Sequence, residues 1–440
     1  MEEKAATGKF KGDRVIWTVF FFLCIISIIE VFSASSNLSF KSGNYLGPVL
    51  KHVMLLVVGV MAMIATMNVK CKYFKMVTPG ALIISFIGLI AVLCFGESTN
   101  GSQRWLSVMG IQFQPSELAK GAIILATAQI LSAMQTPTGA DKRAFKYICI
   151  VCAFIVPLIM VENLSTAVLL CTVVFLLMFI GKVPKAQLGR LLGIVMLCLI
   201  FIVSMVMILG HDKEKENADG QKMAMTEQVE KKDETVVEKV FHRFDTWKAR
   251  IDKFLDNKEI APEDVDLDKD GQTAHANIAI ASSNVVGKGP GNSVERDFLS
   301  QAFSDFIYAI IIEEMGIAGA AFVCLLYIIL LFRTATIANR CVNTFPALLI
   351  MGFALLLVIQ AVGLVPVTGQ PLPLISKGGT STIVNCVYIG IILSVSYSAK
   401  KKDEDGDMDE TKADKIKPAA TDKKITSTTS ASAVPLAKIG

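Results

Sequence analysis

The sequence predicts an all-α polytopic membrane protein with about ten transmembrane helices and a large extracytoplasmic loop between helices 7 and 8. Of the 440 residues, 53% are hydrophobic and 19% are charged, and the mean hydropathy is +0.54. This composition is too apolar for a soluble globular domain. Apolar runs long enough to cross the ~30 Å hydrocarbon core of a bilayer recur along the whole chain.

The predicted spans form two groups on either side of one long polar segment. The fifth and sixth spans are separated only by residues 162–164, which predicts a tight helical hairpin. The spans cover approximately residues 16–34, 49–67, 76–95, 116–134, 147–161, 165–180, 191–209, 305–332, 344–366 and 380–398.

The remaining segments complete the predicted domain organisation. A cytoplasmic N-terminal segment covers residues 1–14, helices 1–7 cover 15–209, the outer loop covers 210–304, and helices 8–10 cover 305–398. Residues 399–440 mix lysine with acidic residues and then turn to Ser, Thr and Ala. Too few large apolar residues remain to form a core, so a disordered cytoplasmic tail is predicted.

Basic residues predict the orientation of the spans. They concentrate in alternate short segments, for example Lys70, Lys72 and Lys75, whereas the opposite set contains few. Because cytoplasmic loops carry the excess of Lys and Arg, both termini are predicted to be cytoplasmic. Residues 33–35 resemble a signal-peptide cleavage site, but an uncleaved anchor is the simpler interpretation because it keeps the loop charges matched. The net charge of +4 indicates no nucleic-acid partner.

Three parts of the outer loop have recognisable patterns. Residues 240–255 have the spacing of an amphipathic helix that packs on the bundle or contacts lipid. Aspartates alternate over residues 264–270, but the terminal acidic ligand of a calcium loop is missing, which favours a solvated acidic turn. Residues 287–293 are rich in glycine but lack the GK[ST] order of a phosphate-binding loop.

Charged and turn-forming residues gather at the predicted outer ends of the spans. Asp305 lies where the long loop enters an apolar span, and an acid at this depth persists only where a cavity, partner or substrate compensates it. It is the first candidate for a catalytic group. Glu117 and Lys120 lie one helical turn apart, so a structural ion pair and a ligand site are given equal weight. Residues 367–381 are rich in Pro and Gly, which at membrane level indicates backbone that is buried or lines a cavity.

Motifs in these clusters identify a resemblance to a known family. They are GSQRW at 101–105, QPSELAK at 114–120, GNSVERDF at 291–298, SDFIYAIIIEE at 304–314 and TGQPLPLISKGGTS at 368–381. In order and spacing they resemble the motifs of the SEDS proteins (shape, elongation, division and sporulation), the FtsW and RodA group. The wording of the motifs and the charged tail favour the FtsW-like branch.

The resemblance implies a peptidoglycan glycosyltransferase of the bacterial cytoplasmic membrane that polymerises lipid II at the outer face. Asp305 corresponds to the acid of the family's TDF motif and is expected to deprotonate the attacking sugar hydroxyl, giving inversion. The expected partner is a class B penicillin-binding transpeptidase. A divalent cation, Mg²⁺ or Mn²⁺, is expected to help with the leaving diphosphate, and no organic cofactor is expected. The candidate substrate-binding residues are Arg104, Glu117, Lys120, Arg296, Ser376 and Lys377.

Two departures from the family pattern limit what the resemblance transfers. Asn163 stands where relatives commonly have an aspartate, and residues 300–306 read SQAFSDF where relatives often have PEAHTDF. Two alternatives from other classes are a lipid II flippase and a noncatalytic scaffold for the transpeptidase. A flippase would place polar groups along the whole crossing, and a scaffold would not need Asp305.

Overall fold

The computed structural model describes residues 11–35, 47–99, 102–108, 111–209, 267–299, 302–363 and 371–415. Helices form most of the regular structure in these residues. They are α1 (Arg14–Ala34), α2 (Gly47–Met67), α3 (Cys71–Phe95), α4 (Pro115–Ala133), α5 (Lys142–Glu162), α6 (Leu164–Ile180), α7 (Lys185–Leu209), α8 (Leu267–Ala281), α9 (Ile307–Arg340), α10 (Thr344–Val362) and α11 (Thr380–Lys415).

The helices confirm the predicted polytopic membrane fold. Among the described residues, seven helices are long and apolar enough to cross a bilayer, namely α1, α3, α5, α9, α10, Val49–Met67 of α2 and Thr380–Ala399 of α11. Helix α6 is apolar but shorter. Helices α4 and α7 also coincide with predicted spans. The count of about ten spans, the position of the outer loop and the domain boundaries stay predictions.

Small sheets add to the predicted all-helical fold. Strands β1 (Glu97–Thr99), β2 (Ser102–Val108) and β3 (Ile111–Phe113) form an antiparallel sheet in the order β1-β2-β3, with Leu106 opposite Phe113. Strands β4 (Gln135–Thr136) and β5 (Gly139–Ala140) form a two-stranded ribbon. Only Met109 and Gly110 separate β2 from β3 in the sequence, and a two-residue connection of this kind favours a hairpin.

Helix α4 lies at the centre of the bundle. It packs against α3, α5, α6 and α10, and nearly all of its first three turns are buried. Gly121 makes this packing close, because a Cβ at this position would overlap the Tyr388 ring of α11. The Tyr388 ring in turn stacks on Phe353 of α10, with ring centroids 4.6 Å apart. The core therefore sits around α4, α10 and the first part of α11.

Helix α9 is interrupted at Gly316, inside the span predicted for residues 305–332. Gly316 has φ 70° and ψ −177°, a conformation that is essentially restricted to glycine. The extended segment 284–289 crosses α9 at this point. Lys288 and Gly289 donate their N–H groups to the carbonyls of Glu313 and Glu314.

The same segment pairs with the second half of α9. Ile317 and Ala318 donate their N–H groups to the carbonyls of Asn284 and Val285, at 3.2 Å each. Gly287 and Gly316 lie next to each other at the crossing. A Cβ on Gly287 would overlap the Glu314 carbonyl oxygen, and a Cβ on Gly316 would overlap the Val285 carbonyl oxygen. The backbone groups that the interrupted helix leaves free are thus paired, as membrane depth requires.

A smaller apolar cluster joins α8 to the start of α9. It contains Ala276 and Ala279 of α8, Leu299, Phe306 and Ile310. Part of the aspartate-rich segment, from residue 268 to Gly271, is helical in α8 rather than a metal-binding loop. The predicted amphipathic helix at 240–255 lies outside the described residues.

The chain divides into two units, Met1–Ala399 and Lys400–Gly440. Within the second unit, residues 400–415 are helical, where the sequence predicts a disordered tail. This difference has a physical reason, because Lys and Glu have high intrinsic helix propensity. Residues 416–440 lie outside the described part of the chain.

Candidate active site

Asp305 lies in the turn that leads into α9. Residues 302–306 form this turn, and Ser304 Oγ lies 3.0 Å from the Asp305 Oδ1 atom to which it donates. Phe306 and Ile307 are buried, whereas Asp305 is half-buried. Burial of the two following residues therefore fixes the turn and leaves the carboxylate accessible at the helix start.

The loop of residues 371–379, called here the Pro-Gly loop, holds this turn from the other side. The Ser376 hydroxyl donates to the Ser304 carbonyl at 2.7 Å and accepts from the Leu372 N–H at 2.6 Å. The Lys377 N–H donates to the Phe303 carbonyl at 3.0 Å. Two backbone carbonyls next to Asp305 are thus fixed by consecutive residues of one loop.

Lys377 places a positive charge next to the turn that carries Asp305. Its ammonium lies 4.7 Å from the centroid of the Phe303 ring, a cation–π contact. Burial lowers the pKa of Lys377 below its usual value of 10.5, and the charge of Lys51 lowers it further. Within the described residues no carboxylate lies within ion-pair distance of Lys377. The ammonium therefore lies beside the turn that carries Asp305.

Buried polar side chains of α1, α2 and α9 support the Pro-Gly loop. Ser27 of α1 donates to the Ile375 carbonyl at 2.7 Å, and its hydroxyl lies 2.8 Å from Nε2 of the fully buried His52 of α2. Tyr327 of α9 donates to the Pro373 carbonyl. Polar groups inside apolar spans are a sequence signal of function, but the sequence does not identify Ser27 and His52 as supports, because Ser27 bonds a backbone carbonyl and His52 bonds Ser27.

Glu117 and Lys120 form the predicted ion pair. Lys120 is 1% exposed, and its ammonium lies 2.8 Å from Glu117 Oε1 and 3.0 Å from Gln360 Oε1. Gln360 donates in turn to the Pro371 carbonyl at 3.2 Å. Of the two interpretations given equal weight, the ion pair is the one observed. The pair touches the Pro-Gly loop through Gln360. The substrate-binding role of Glu117 and Lys120 stays a prediction.

Arg296 belongs to a separate cluster. It lies in a short 3₁₀ helix, and its Nη1 donates to the Gly291 carbonyl at 2.7 Å and to Ser33 Oγ at 3.1 Å. The same nitrogen is 3.8 Å from Glu314 Oε1. These contacts bind the outer loop to α1 and α9.

Glu313 and Glu314 bind the glycine-rich segment, as expected for structural hydrogen bonding. Glu313 accepts from Lys288 Nζ at 2.6 Å and from Ser293 Oγ at 2.5 Å. Glu314 accepts from the Gly291 N–H at 3.0 Å and from the Ser33 hydroxyl. Both carboxylates are fully buried. Although adjacent residues of a helix point to different faces, both of these reach one segment because it wraps around the interruption in α9.

Arg104 lies in the middle of β2, the central strand of the small sheet. This sheet precedes α4, the helix that supplies Glu117 and Lys120, in the chain. Its role as a substrate-binding residue stays a prediction.

The described part of the chain contains no obvious set of side-chain ligands for a divalent cation. No group of three or more His, Cys, Asp or Glu side chains there has the proximity to hold a metal ion. The expected Mg²⁺ or Mn²⁺ stays a prediction, and the chemistry below is derived from side chains alone.

Sequence comparisons place these features among known proteins. The family model FtsW/RodA/SpoVE, described as "Cell cycle protein", matches residues 13–401. The chain is 27% identical over 410 residues to the peptidoglycan glycosyltransferase MrdB of Escherichia coli (strain K12), covering 90% of this chain and 97% of that protein. It is 26% identical over 399 residues to the probable peptidoglycan glycosyltransferase FtsW of Aromatoleum aromaticum, covering 86% of each.

Solved structures show the same fold. A chain of a peptidoglycan synthase complex, described as coordinating polymerization and crosslinking, aligns with a TM-score of 0.62 at 20% identity, over 88% of this chain and 97% of that chain. The rod shape determining protein RodA of Thermus thermophilus aligns with a TM-score of 0.56 at 19% identity, over 88% and 96%.

Proposed function

Because this chain belongs to the FtsW/RodA/SpoVE family of cell cycle proteins, we propose that it is a peptidoglycan glycosyltransferase that polymerises lipid II into glycan strands in cell wall synthesis. Relatives that share most of its length carry the name peptidoglycan glycosyltransferase. The single structural observation that supports the proposal best is the position of Asp305, half-buried at the start of α9 and hydrogen-bonded through its turn to the loop that bears Lys377.

Asp305 acts as the general base. It accepts the proton of the 4-hydroxyl group of one lipid-linked disaccharide while that oxygen attacks the anomeric carbon of the growing strand. The new glycosidic C–O bond forms as the bond from the anomeric carbon to the diphosphate oxygen breaks, and the electron pair leaves with undecaprenyl diphosphate. An α-linked donor gives a β-linked product, and one positioned base is sufficient for such an inversion.

Lys377 stabilises the leaving group. Negative charge grows on the diphosphate as the bond breaks, and a fixed cation in a partly buried site stabilises that charge more than water does. The Pro-Gly loop carries this cation and also bonds the carbonyls of residues 303 and 304. The Pro-Gly loop therefore both carries the cation and fixes the turn that carries the base.

The setting of the reaction is part of the proposal. The protein is a multi-pass membrane protein, and we place it in the bacterial cytoplasmic membrane with both termini inside and the site on the outer side. A class B penicillin-binding transpeptidase is the proposed partner. This is supported by the similarity of the fold to a chain of a complex that coordinates polymerization and crosslinking.

The test is polymerisation of labelled lipid II by the purified full-length protein, with and without a class B transpeptidase. Asp305→Asn should reduce the rate by about 100-fold or more, the size expected for loss of a general base. Asp141→Asn is the matched control. Asp141 caps α5 by accepting from the Arg143 N–H at 2.7 Å, and asparagine caps helices equally well.

Each alternative has its own outcome. Equal polymer from wild type and Asp305→Asn would remove Asp305 as the base. Failure of the wild type to polymerise even with its partner would favour a flippase or a scaffold, which a lipid II translocation assay in vesicles then separates.

A further inference from the structure

Leu374 is a strained residue within the Pro-Gly loop. Its φ of 68° lies in the left-handed region, which is uncommon for residues other than glycine, and its side chain is buried. Side chains of two membrane helices hold the carbonyls on either side of it. Tyr327 of α9 donates to the Pro373 carbonyl, and Ser27 of α1 donates to the Ile375 carbonyl at 2.7 Å. Backbone strain of this kind persists only where surrounding contacts fix it, and it is concentrated at functional sites.

The hydrogen bonds of Ser27 specify where His52 carries its hydrogen. A serine hydroxyl has one hydrogen to donate, and a backbone carbonyl can only accept. The Ser27 hydrogen is therefore used for the Ile375 carbonyl, and its oxygen must accept in its other contact, at 2.8 Å from His52 Nε2. Nε2 then carries a hydrogen, so a chain of two donors runs from His52 through Ser27 to the loop.

The other ring nitrogen of His52 is unpaired. The residue is fully buried, and within the described part of the chain Nδ1 has no hydrogen-bond partner. Among the same residues, no carboxylate lies within ion-pair distance of the ring. An imidazolium would bury both an unpaired N–H and an uncompensated charge here, which is costly. The contacts therefore specify a neutral ring with its hydrogen on Nε2.

Stability alone does not explain a histidine at this position. A buried polar atom without a partner is destabilising, and an apolar side chain would avoid that cost. Inside a membrane helix, a polar side chain that is kept at such a cost indicates function. The bond that His52 does make is to Ser27, so its function is to be sought in the donor chain to the Pro-Gly loop.

We propose that His52 is a positioning residue for the glycosyl transfer, holding the Pro-Gly loop through Ser27 as a neutral Nε2–H donor. The inference rests on the proposed function and deepens it with a residue of α2 that does not itself contact the reacting groups. Without this donor, the Ser27 hydroxyl is free to turn from the Ile375 carbonyl, and the strained loop relaxes. Because the loop carries Lys377 and fixes the turn of Asp305, both groups then shift.

Polymerisation kinetics and thermal unfolding of the purified full-length protein together test the proposal. His52→Leu should lower kcat by about tenfold with little change in KM, because small displacements of catalytic groups are costly. Its melting temperature should equal or exceed that of wild type, since the unpaired Nδ1 is removed. His52→Gln should keep most of the rate, because the glutamine amide nitrogen can take the place of Nε2 and donate. His52→Asn should not, because its side chain is one carbon too short.

Thr66→Val is the matched control. Thr66 also belongs to α2 and donates to the Ala62 carbonyl at 2.7 Å, a bond within its own helix that does not involve the Pro-Gly loop. This variant should keep both kcat and KM. A double-mutant cycle then tests the route of the effect. His52→Leu should add little to the loss of rate in Ser27→Ala, because residues that act through one another are not additive.

Two further measurements report on the donor chain without any activity. The chain contains four histidines, and with ¹⁵N-labelled histidine rings the NMR signal lost in His52→Gln is that of His52. In the wild type this signal should show the neutral Nε2–H tautomer. Amide hydrogen exchange at residues 371–379 should be faster in His52→Leu than in wild type or Thr66→Val, because the loop has lost one of its fixed carbonyls.

The outcomes separate this inference from the function it rests on. An imidazolium or an Nδ1–H tautomer at His52 would overturn the inference, and so would equal rates in His52→Leu and His52→Gln. A loss of rate in His52→Leu that is accompanied by a lower melting temperature and a higher KM would show a structural role only and would also overturn it. Faster loop exchange in His52→Leu, when the wild type makes no polymer, would support the donor chain and overturn the proposed function. Unchanged exchange and rate in His52→Leu, with an active wild type, would overturn the inference and leave the function standing.

Discussion

The Ser376 hydroxyl makes two bonds to backbone, donating to the Ser304 carbonyl and accepting from the Leu372 N–H. The sequence predicted a substrate-binding role for this residue, whereas its observed contacts make it a positioning residue for Asp305. Ser376→Ala should lower kcat by about 10- to 100-fold with little change in KM, because small displacements of a catalytic group are costly. Lipid II polymerisation kinetics measure this split.

Ser394→Ala provides the comparison for this change. Ser394 is buried and donates to the Val69 carbonyl at 2.6 Å, a similar bond far from Asp305 in the chain. Both variants should lose similar thermal stability, but only Ser376→Ala should lose rate. Equal rates in the two variants would mean that Ser376 does not position the base.

The lowered pKa of Lys377 predicts a pH dependence of diphosphate binding. Burial and the charge of Lys51 both favour the neutral amine. As pH rises through this lowered pKa, Lys377 loses its charge and binding weakens, at a lower pH than an ordinary lysine would allow. Among the described residues, Lys51 of α2 is the titratable group whose charge adds to the shift of the Lys377 pKa.

Lys377→Arg tests the assignment of this titration. Arginine stays protonated at all accessible pH values, so the variant should keep its affinity for geranylgeranyl diphosphate into the alkaline range. If the wild type and the Lys377→Arg variant lose affinity at the same pH, the titration belongs to a group other than Lys377.

At the scale of single elements, α9 depends on two glycines that face each other. Gly316→Ala should destabilise the protein by about 2–4 kcal/mol, because the backbone conformation is unfavourable for alanine and its Cβ would overlap the Val285 carbonyl. Gly193→Ala in α7 is the control, since nothing lies within 4 Å of its Cβ position. Thermal unfolding in detergent, followed by circular dichroism, measures both.

The helices were predictable wherever the local sequence pattern determines where they begin and end. Apolar length gave the positions of the helices, and Asn163 between α5 and α6 caps the second of them through the N–H of Ser165 at 3.1 Å. The interruption of α9 was not predictable in the same way. A single glycine in an apolar run is compatible with a continuous helix, and only the docking of a segment about thirty residues earlier decides otherwise.

At the scale of the whole molecule, one ion pair joins the beginning of α1 to the second half of α9. Asp13 accepts from Arg333 Nε at 2.9 Å and Nη2 at 2.6 Å, and it also caps α1 through the Val15 N–H. Burial alone would raise the pKa of Asp13, but the bonds and charge of Arg333 hold it below its usual value of 3.8.

Replacing Asp13 should separate the two contributions. Asp13→Asn keeps the cap and loses the charge, so it should lower the melting temperature less than Asp13→Ala, which loses both. The carboxylate is stabilising above its unfolded pKa, and this stabilisation is lost as pH falls through its lowered folded pKa. The difference between wild type and Asp13→Asn should therefore shrink in strong acid, which melting curves over an acid pH series would show.

The candidate site was predictable in its charged residues but not in its connections. Asp305, Lys377 and the Glu117–Lys120 pair could be found because charges are rare in apolar spans. Ser27 and Gln360 could not be found because their partners are carbonyls of the Pro-Gly loop, and backbone acceptors have no sequence signature. His52 contacts that loop only through the Ser27 hydroxyl.

The segment that crosses α9 also constrains how the protein is made. Residues 284–289 leave the ribosome before residues 313–318, whose two carbonyls and two N–H groups they pair. Unpaired backbone groups make it costly for a helix to enter the hydrocarbon core of the bilayer. We therefore expect α9 to leave the translocon only after the earlier segment has docked. A split protein that delivers α9 first should therefore stall at insertion and be degraded, while the reverse order of delivery should yield an assembled bundle.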